Sequence, residues 1–152
     1  MWCSKKNGPQ CIGRSRGGWT SKLHLVAATS ECAVAVALSA GNAGDAPEGR
    51  KLLQVIKDVP QVKWCELLMD RAYEGNETRS LAVSLGFNPV VPPNPNRRIP
   101  WLYDEELYKK RNEVERLFRR LKRFRRVFTR YDKLDVMYLA FVMLAFIFDY
   151  LK

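Results

Sequence analysis

The end of the chain constrains its fold more than any other stretch. Residues 136–151 read VMYLAFVMLAFIFDYL, with Asp149 as the only charge. A helix of that length spans about 24 Å, short of the roughly 30 Å hydrocarbon core of a bilayer. A buried helix is therefore expected, and no membrane span. Because it is apolar all round, such a helix needs cover on several sides, from its own domain or from a partner. With 152 residues, 47% of them hydrophobic, the chain is long enough to supply a core.

The segments before it alternate in type. After a glycine-flanked basic loop, GRSRGGWTSK, residues 22–29 (KLHLVAAT) and 33–41 (AVAVALSAG) predict two strands of a hairpin turning around Ser30 and Cys32. The segment AGDAPEGRKLLQVIKDV predicts a helix with Asp45 as N-cap and Pro47 in its first turn. VKWCELLMD is a short apolar strand ending at Asp70. NETRSLAVSLGF is a helix with Asn76 as cap and Gly86 as terminator, and NPVV is a brief strand stopped by prolines. A hairpin followed by β-α alternation implies a mixed sheet with helices on its faces, where sites collect at strand ends. Asp70 is in such a place, although a plain turn or cap role would explain it equally.

The formal charge of +10 favours an anionic partner, nucleic acid before membrane. Eleven Lys and Arg residues fall between Lys109 and Arg130, a density that points to DNA backbone contact over a merely solvated face. Four cysteines without C-x-x-C spacing and one histidine argue against a zinc site and against a disulfide framework. Reduced thiols of a cytosolic protein are the simplest reading. His24, alternating with apolar residues, is expected to be structural. Trp19, Trp64 and Trp101 are expected to pack rather than to stack on bases.

The stretch YKKRNEVERLFRRLKRFRR, residues 108–126, predicts one long helix. At about 100° per residue, Tyr108, Arg111, Glu115 and Lys122 fall within an arc of roughly 60°. Leu107, Val114, Leu117, Phe118, Leu121 and Phe128 form the neighbouring buried stripe. Arg116, Arg119, Arg123 and Arg126 point away, to solvent or a partner. Glu115 thus lies at the rim of the buried face, in line with a tyrosine and two cations, and Glu113 does not.

The spacing of Tyr108, Arg111, Glu115 and Lys122 resembles the Y-R-E-K signature of bacterial insertion-sequence DDE transposases. GRSRGGWTSKLHL, LLMDRAYEGNETR and FRRVFTRYDKL are similar to other blocks of that family, in the same order, from about Gly13 onward. The resemblance implies an RNase H-like α/β fold over residues 13–152, preceded by an irregular tail at 1–12. It implies DNA transposition by metal-dependent cutting and joining, with carboxylates holding two Mg²⁺ ions. Asp70 would be the second metal-binding, catalytic carboxylate and Glu115 the third. Arg111 and Lys122 would hold phosphates of the transposon end, supported by Tyr108, with Arg14, Arg16, Arg119 and Arg126 as further DNA contacts. Glu74, where relatives tend to carry aspartate, is not expected to be a ligand.

The sequence departs from this pattern in one place. The family's first catalytic aspartate stands on a first, central strand upstream of the glycine-arginine loop, and here the first acidic residue is Glu31. The expected sheet therefore lacks that strand, the metal site lacks one ligand, and the chain alone is expected to be marginally stable and inactive. Three functional readings follow. The chain is the C-terminal portion of a transposase that works with an N-terminal portion from an overlapping frame, as a homo-oligomer when complete. Alternatively it is a non-catalytic DNA-binding fragment or inhibitor of transposition, or an inactive remnant. The resemblance places it in the bacterial cytoplasm, at the nucleoid.

Overall fold

The computed structural model describes residues 8–57 and 65–152, so Trp64 and Cys3 lie outside the described residues. The chain divides into two compact units. One comprises the segment up to Ala43 together with Arg116–Lys152, and the other is Gly44–Glu115. The architecture is mixed α/β, with strands in two small sheets, a three-stranded and a two-stranded one, where the sequence predicted a single sheet.

In the first unit the alternating run folds as read. Strands β1 (Gly13–Ser15), β2 (Gly18–Ala27) and β3 (Ala33–Ala40) form an antiparallel sheet in the order β1-β2-β3. Leu23 faces Leu38 and Leu25 faces Val36 across the hairpin, and the register shifts between Val26 and Ala27. Thr29 closes the turn, its hydroxyl accepting from the Glu31 and Cys32 amides. Buried His24 meets the Ser39 hydroxyl at 2.8 Å, which satisfies its ring and fits the structural role expected of it. Cys11, Cys32 and Cys65 form no disulfide.

Helices α5 (Arg125–Phe128) and α6 (Asp135–Tyr150) complete this unit. Leu121, Val127, Tyr138, Val142 and Ala145 form its core, with Leu23, Leu38, Phe124 and Phe146 against them. Each such apolar side chain contributes roughly 1.5–3 kcal/mol by leaving water. The expectation that α6 is covered on several sides is not met. Asp135, Tyr138, Val142 and Ala145 form one buried stripe, while Val136, Met137, Met143, Leu144, Ile147 and Phe148 are exposed. Only three or four positions per two turns face one neighbouring layer, whatever the composition of the remaining faces. No helix among the described residues is long and apolar enough to cross a membrane.

The start of α6 is tied down electrostatically. Asp135 accepts from the Cys11 amide at 2.8 Å and from Arg130 at 2.7 Å, and its own amide donates to Pro9. Burial pushes the Asp135 carboxyl upward, but the Cys11 and Arg130 hydrogen bonds outweigh it and hold it below the ordinary aspartate value.

In the second unit, α1 (Asp45–Ile56), β4 (Glu66–Leu68), α2 (Asn76–Ser84) and β5 (Asn88–Val90) form a compact β-α-β arrangement in which β4 and β5 pair in parallel. Leu52, Leu53, Ile56, Ala82, Phe87, Val90 and Val91 are buried. Gly86, at φ +87°, ends α2 as predicted. The predicted caps are displaced by one residue. Gly44 and Gly75 are the N-caps, while Asp45 and Asn76 are the first helical residues; the Asn76 side chain instead accepts from Arg97. Trp101 packs as expected: its indole N–H donates to the Val91 carbonyl at 2.8 Å, with Arg79 and Arg97 over its ring.

The long basic helix is interrupted twice, giving α3 (Glu105–Lys109), α4 (Asn112–Leu121) and α5. At both breaks the amides bond three residues back, Arg111 to Tyr108 and Phe124 to Leu121. Lys122, Arg123, Arg125 and Arg126 crowd like charges at helical neighbour spacings around the second break, which disfavours continuing the helix. Asp104 caps α3 by accepting from the Leu107 amide.

A Cβ added at Gly49 of α1 would sit 2.5 Å from the Tyr73 ring. Gly49→Ala gains about 1 kcal/mol of helix propensity but forces overpacking that costs roughly 1–3 kcal/mol. Denaturant unfolding should show a net loss in the native background and a gain once Tyr73 is also changed to alanine. For Asp135, the depressed folded value means that its stabilisation is present above the unfolded aspartate pKa and lost as pH falls through the folded one. Asp135→Asn should lower stability at neutral pH and flatten its decline in acid, read from unfolding midpoints across pH.

Candidate functional site

Strand β4 runs out at Leu68, and Asp70 follows with extended backbone at φ −63° and ψ 152°. One carboxylate oxygen accepts from the Ala72 amide at 3.0 Å and caps a single 3₁₀ turn, Arg71–Tyr73. The bland role is thus present, yet it uses one oxygen only. The other accepts from Arg111 at 3.1 Å. The turn itself is held by Tyr73, whose ring lies where only a glycine at position 49 leaves room. Burial first, and then the carboxylates of Asp45 and Asp70, push the Tyr73 hydroxyl up to about 12. A neutral phenol thus stands beside the turn throughout the physiological range.

Arg111 lies in the break between α3 and α4, and Glu115 lies one turn into α4. Its guanidinium donates to Glu115 at 2.6 Å and, through the other terminal nitrogen, to Asp70. Tyr108 supports it, with Arg111 5.6 Å from its ring centroid and Tyr103 edge-on at 5.8 Å on another side. Burial pushes the Tyr108 hydroxyl up against the opposing influence of Arg111. Burial alone would lower the Arg111 guanidinium; Tyr108, Glu115 and Asp70 reverse that and raise it.

The second unit therefore gathers Asp70, Tyr108, Arg111 and Glu115 into one constellation. Its two carboxylates remain accessible, Asp70 at 53% and Glu115 at 44% side-chain exposure. The pair between Arg111 and Glu115 was readable from i,i+4 spacing. The link from Asp70 to Arg111, 41 residues apart, had no local signal. Nor did that of Glu74, which accepts from Arg97 at 3.0 Å and from the Asn94 amide.

Arg14, Arg16, Arg119, Lys122 and Arg126 belong to the first unit and are exposed. Lys122 stands in the turn after α4 rather than on the helix. Arg126 is engaged with Asp132 at 3.4 Å and lies 4.5 Å from the Phe141 ring centroid. Two residues expected to pack do not: Phe128, assigned to the buried stripe of an unbroken helix, is 67% exposed, and Trp19 is 69% exposed. Once α4 stops at Leu121, the helical phase that would have buried Phe128 no longer applies.

As cation ligands, Asp70 and Glu115 offer hard oxygen donors of the kind divalent ions prefer. They already converge on one cation, the Arg111 guanidinium. The donor chemistry fits a divalent metal. No group of three metal-ligating side chains assembles among the described residues.

The comparisons with known proteins agree with this constellation. The chain is 32% identical over 127 residues to a Brucella ovis protein named as a transposase for insertion sequence element IS6501, an alignment covering 83% of this chain and 94% of that one. No solved structure matches. The family model described as "Transposase DDE domain" matches residues 4–148, nearly the whole sequence, and the chain belongs to that family.

Proposed function

We propose that this chain binds transposon-end DNA and contributes two metal-binding carboxylates, Asp70 and Glu115, to strand cleavage and strand transfer in DNA transposition. The observation that carries this reading is the convergence of those two side chains, from a strand end and a helix, on the single guanidinium of Arg111. Transposase DDE domains generally use divalent metal ions, and Mg²⁺ suits an all-oxygen site that shares its coordination with phosphate and water. A bound ion would activate the attacking hydroxyl and neutralise charge developing at the phosphate. The chain's own residues position the rest. The Ala72 amide fixes one oxygen of Asp70 and leaves the other outward. Arg111 holds the two carboxylates in register, and its planar fork can equally take two phosphate oxygens.

The double-stranded DNA contact draws on the basic surface. Lys122, Arg119 and Arg126 with Arg14 and Arg16 are exposed cations suited to phosphate contact. Two carboxylates without a third ligand favour chemistry only after reassembly with a segment that supplies another one, in a homo-oligomer on the DNA ends. The same shortage favours a second reading, a DNA-binding fragment that occupies transposon ends without cutting them.

Glu115→Gln separates the two readings. In a reassembled transposase it should reduce strand cleavage by about 100-fold or more while leaving DNA affinity within about two-fold. Unchanged cleavage would remove Glu115 from the catalytic set. If six to ten cations meet phosphates, affinity should fall by about 10³–10⁵ between 50 and 200 mM salt. Anisotropy titrations at several salt concentrations would read that slope, and a flat response would exclude the DNA reading.

A further inference from the structure

A cavity of about 430 Å³ opens in the first unit, apart from Asp70, Arg111 and Glu115. That volume lies within the roughly 300–1,000 Å³ of sites that enclose a small organic group. Its walls carry three aromatic side chains that the hydrophobic core leaves outside: Trp19 at 69% exposure, Phe128 at 67% and Tyr131 at 54%. Three solvent-facing rings around one hollow are costly for the unit by itself, and they are of the type on which nucleobases stack.

The hollow is built rather than incidental. Arg130 forms its floor, donating to the Asp132 and Lys133 carbonyls at 2.8 Å, to the Ser21 hydroxyl at 2.7 Å and to Asp135 at 2.7 Å. These bonds lock residues 129–135 to β2, so the relative positions of Trp19 and Tyr131 are set before any ligand arrives. Gly18, at φ +104°, makes the turn that presents Trp19, and the Ser15 hydroxyl closes it by donating to the Gly18 carbonyl.

Charge is sorted across the hollow. Arg14 is the direct cross-strand partner of Trp19, so both share one face of the hairpin, and Lys133 lines the opening. Arg125 donates to the Tyr131 hydroxyl at 3.1 Å. These cations suit a phosphate at the rim. Asp132, which lines the cavity with Thr129, repels a phosphate there and accepts from a base amino group.

We infer that this cavity binds one unpaired nucleotide of DNA, its base stacked among Trp19, Phe128 and Tyr131 and its phosphate on the cations of the rim. The inference rests on the DNA-binding reading above and adds a second site to it, one that engages a base rather than the backbone.

The test uses the full chain and three fluorescently labelled oligonucleotides of equal length: a fully paired duplex, a duplex with one bulged thymidine, and a duplex with an abasic spacer at the bulge. Anisotropy should show the bulged duplex binding at least about five-fold tighter than the other two, the lower bound for stacking one base. Trp19→Ala should erase that preference and leave paired-duplex affinity within about two-fold, while Trp19→Phe should retain most of it. Phe128→Leu provides an independent second variant at an exposed position, should Trp19→Ala perturb the hairpin.

Equal binding of bulged and abasic duplexes would overturn the base site while leaving the DNA reading intact. Absence of binding to all three would overturn both. If Trp19→Ala left the three affinities unchanged but weakened self-association in sedimentation, the rings would form a protein interface instead, and the inference would fall.

Discussion

Arg130 is the residue on which the first unit most depends. One guanidinium joins the segment at Cys11, strand β2 through Ser21, the loop carbonyls of Asp132 and Lys133, and the start of α6 through Asp135. Both members of its ion pair are only 11% exposed. A pair so placed costs much to desolvate, and its worth lies in satisfying many acceptors at once rather than in Coulomb attraction alone. Removing either partner would strand the other away from water, a far larger loss than the pair's net contribution. Lysine could not replace Arg130, because one compact ammonium cannot donate in so many fixed directions.

Arg111 uses the same chemistry to opposite effect. It too joins elements distant in sequence, but its carboxylate partners are half exposed, so water can replace each bond at little cost. The first arginine is a permanent joint and the second an exchangeable one. That contrast, more than the identity of the residues, separates a structural cluster from a site where ions and phosphates come and go. Tyr73 adds to the difference, since its buried neutral phenol supports the Asp70 turn without competing for the carboxylate as a cation would.

Much of this was legible in the sequence, because much of it is local. Period-two alternation placed the hairpin, Gly86 ended α2, and Asp70 at the end of an apolar strand was found where strand ends put their residues. What was not legible depended on tertiary choice. Wheel geometry assumes an unbroken helix, so it placed Leu117 and Leu121 correctly in the interior and failed at Phe128, beyond the break. Trp19 was expected to pack because large aromatic residues usually do, and no local pattern shows which strand residue the fold leaves uncovered. The caps slipped by one residue because the glycines before Asp45 and Asn76 adopt the extended backbone that a cap requires. Asp70 and Arg111 meet only through the fold of the second unit, and sequence spacing carries no trace of it.

The bare side of α6 governs how the chain behaves in solution. Met137, Leu144, Ile147 and Leu151 recur at helical spacing on exposed positions, with Phe148 beside them, a strip able to adhere to its like. What keeps two copies apart is the net charge of +10, acting over a Debye length of about 10 Å at 0.1 M salt. Raising the ionic strength weakens that repulsion and leaves the apolar attraction intact. The salt that strips the protein from nucleic acid during purification is therefore the salt that favours its precipitation.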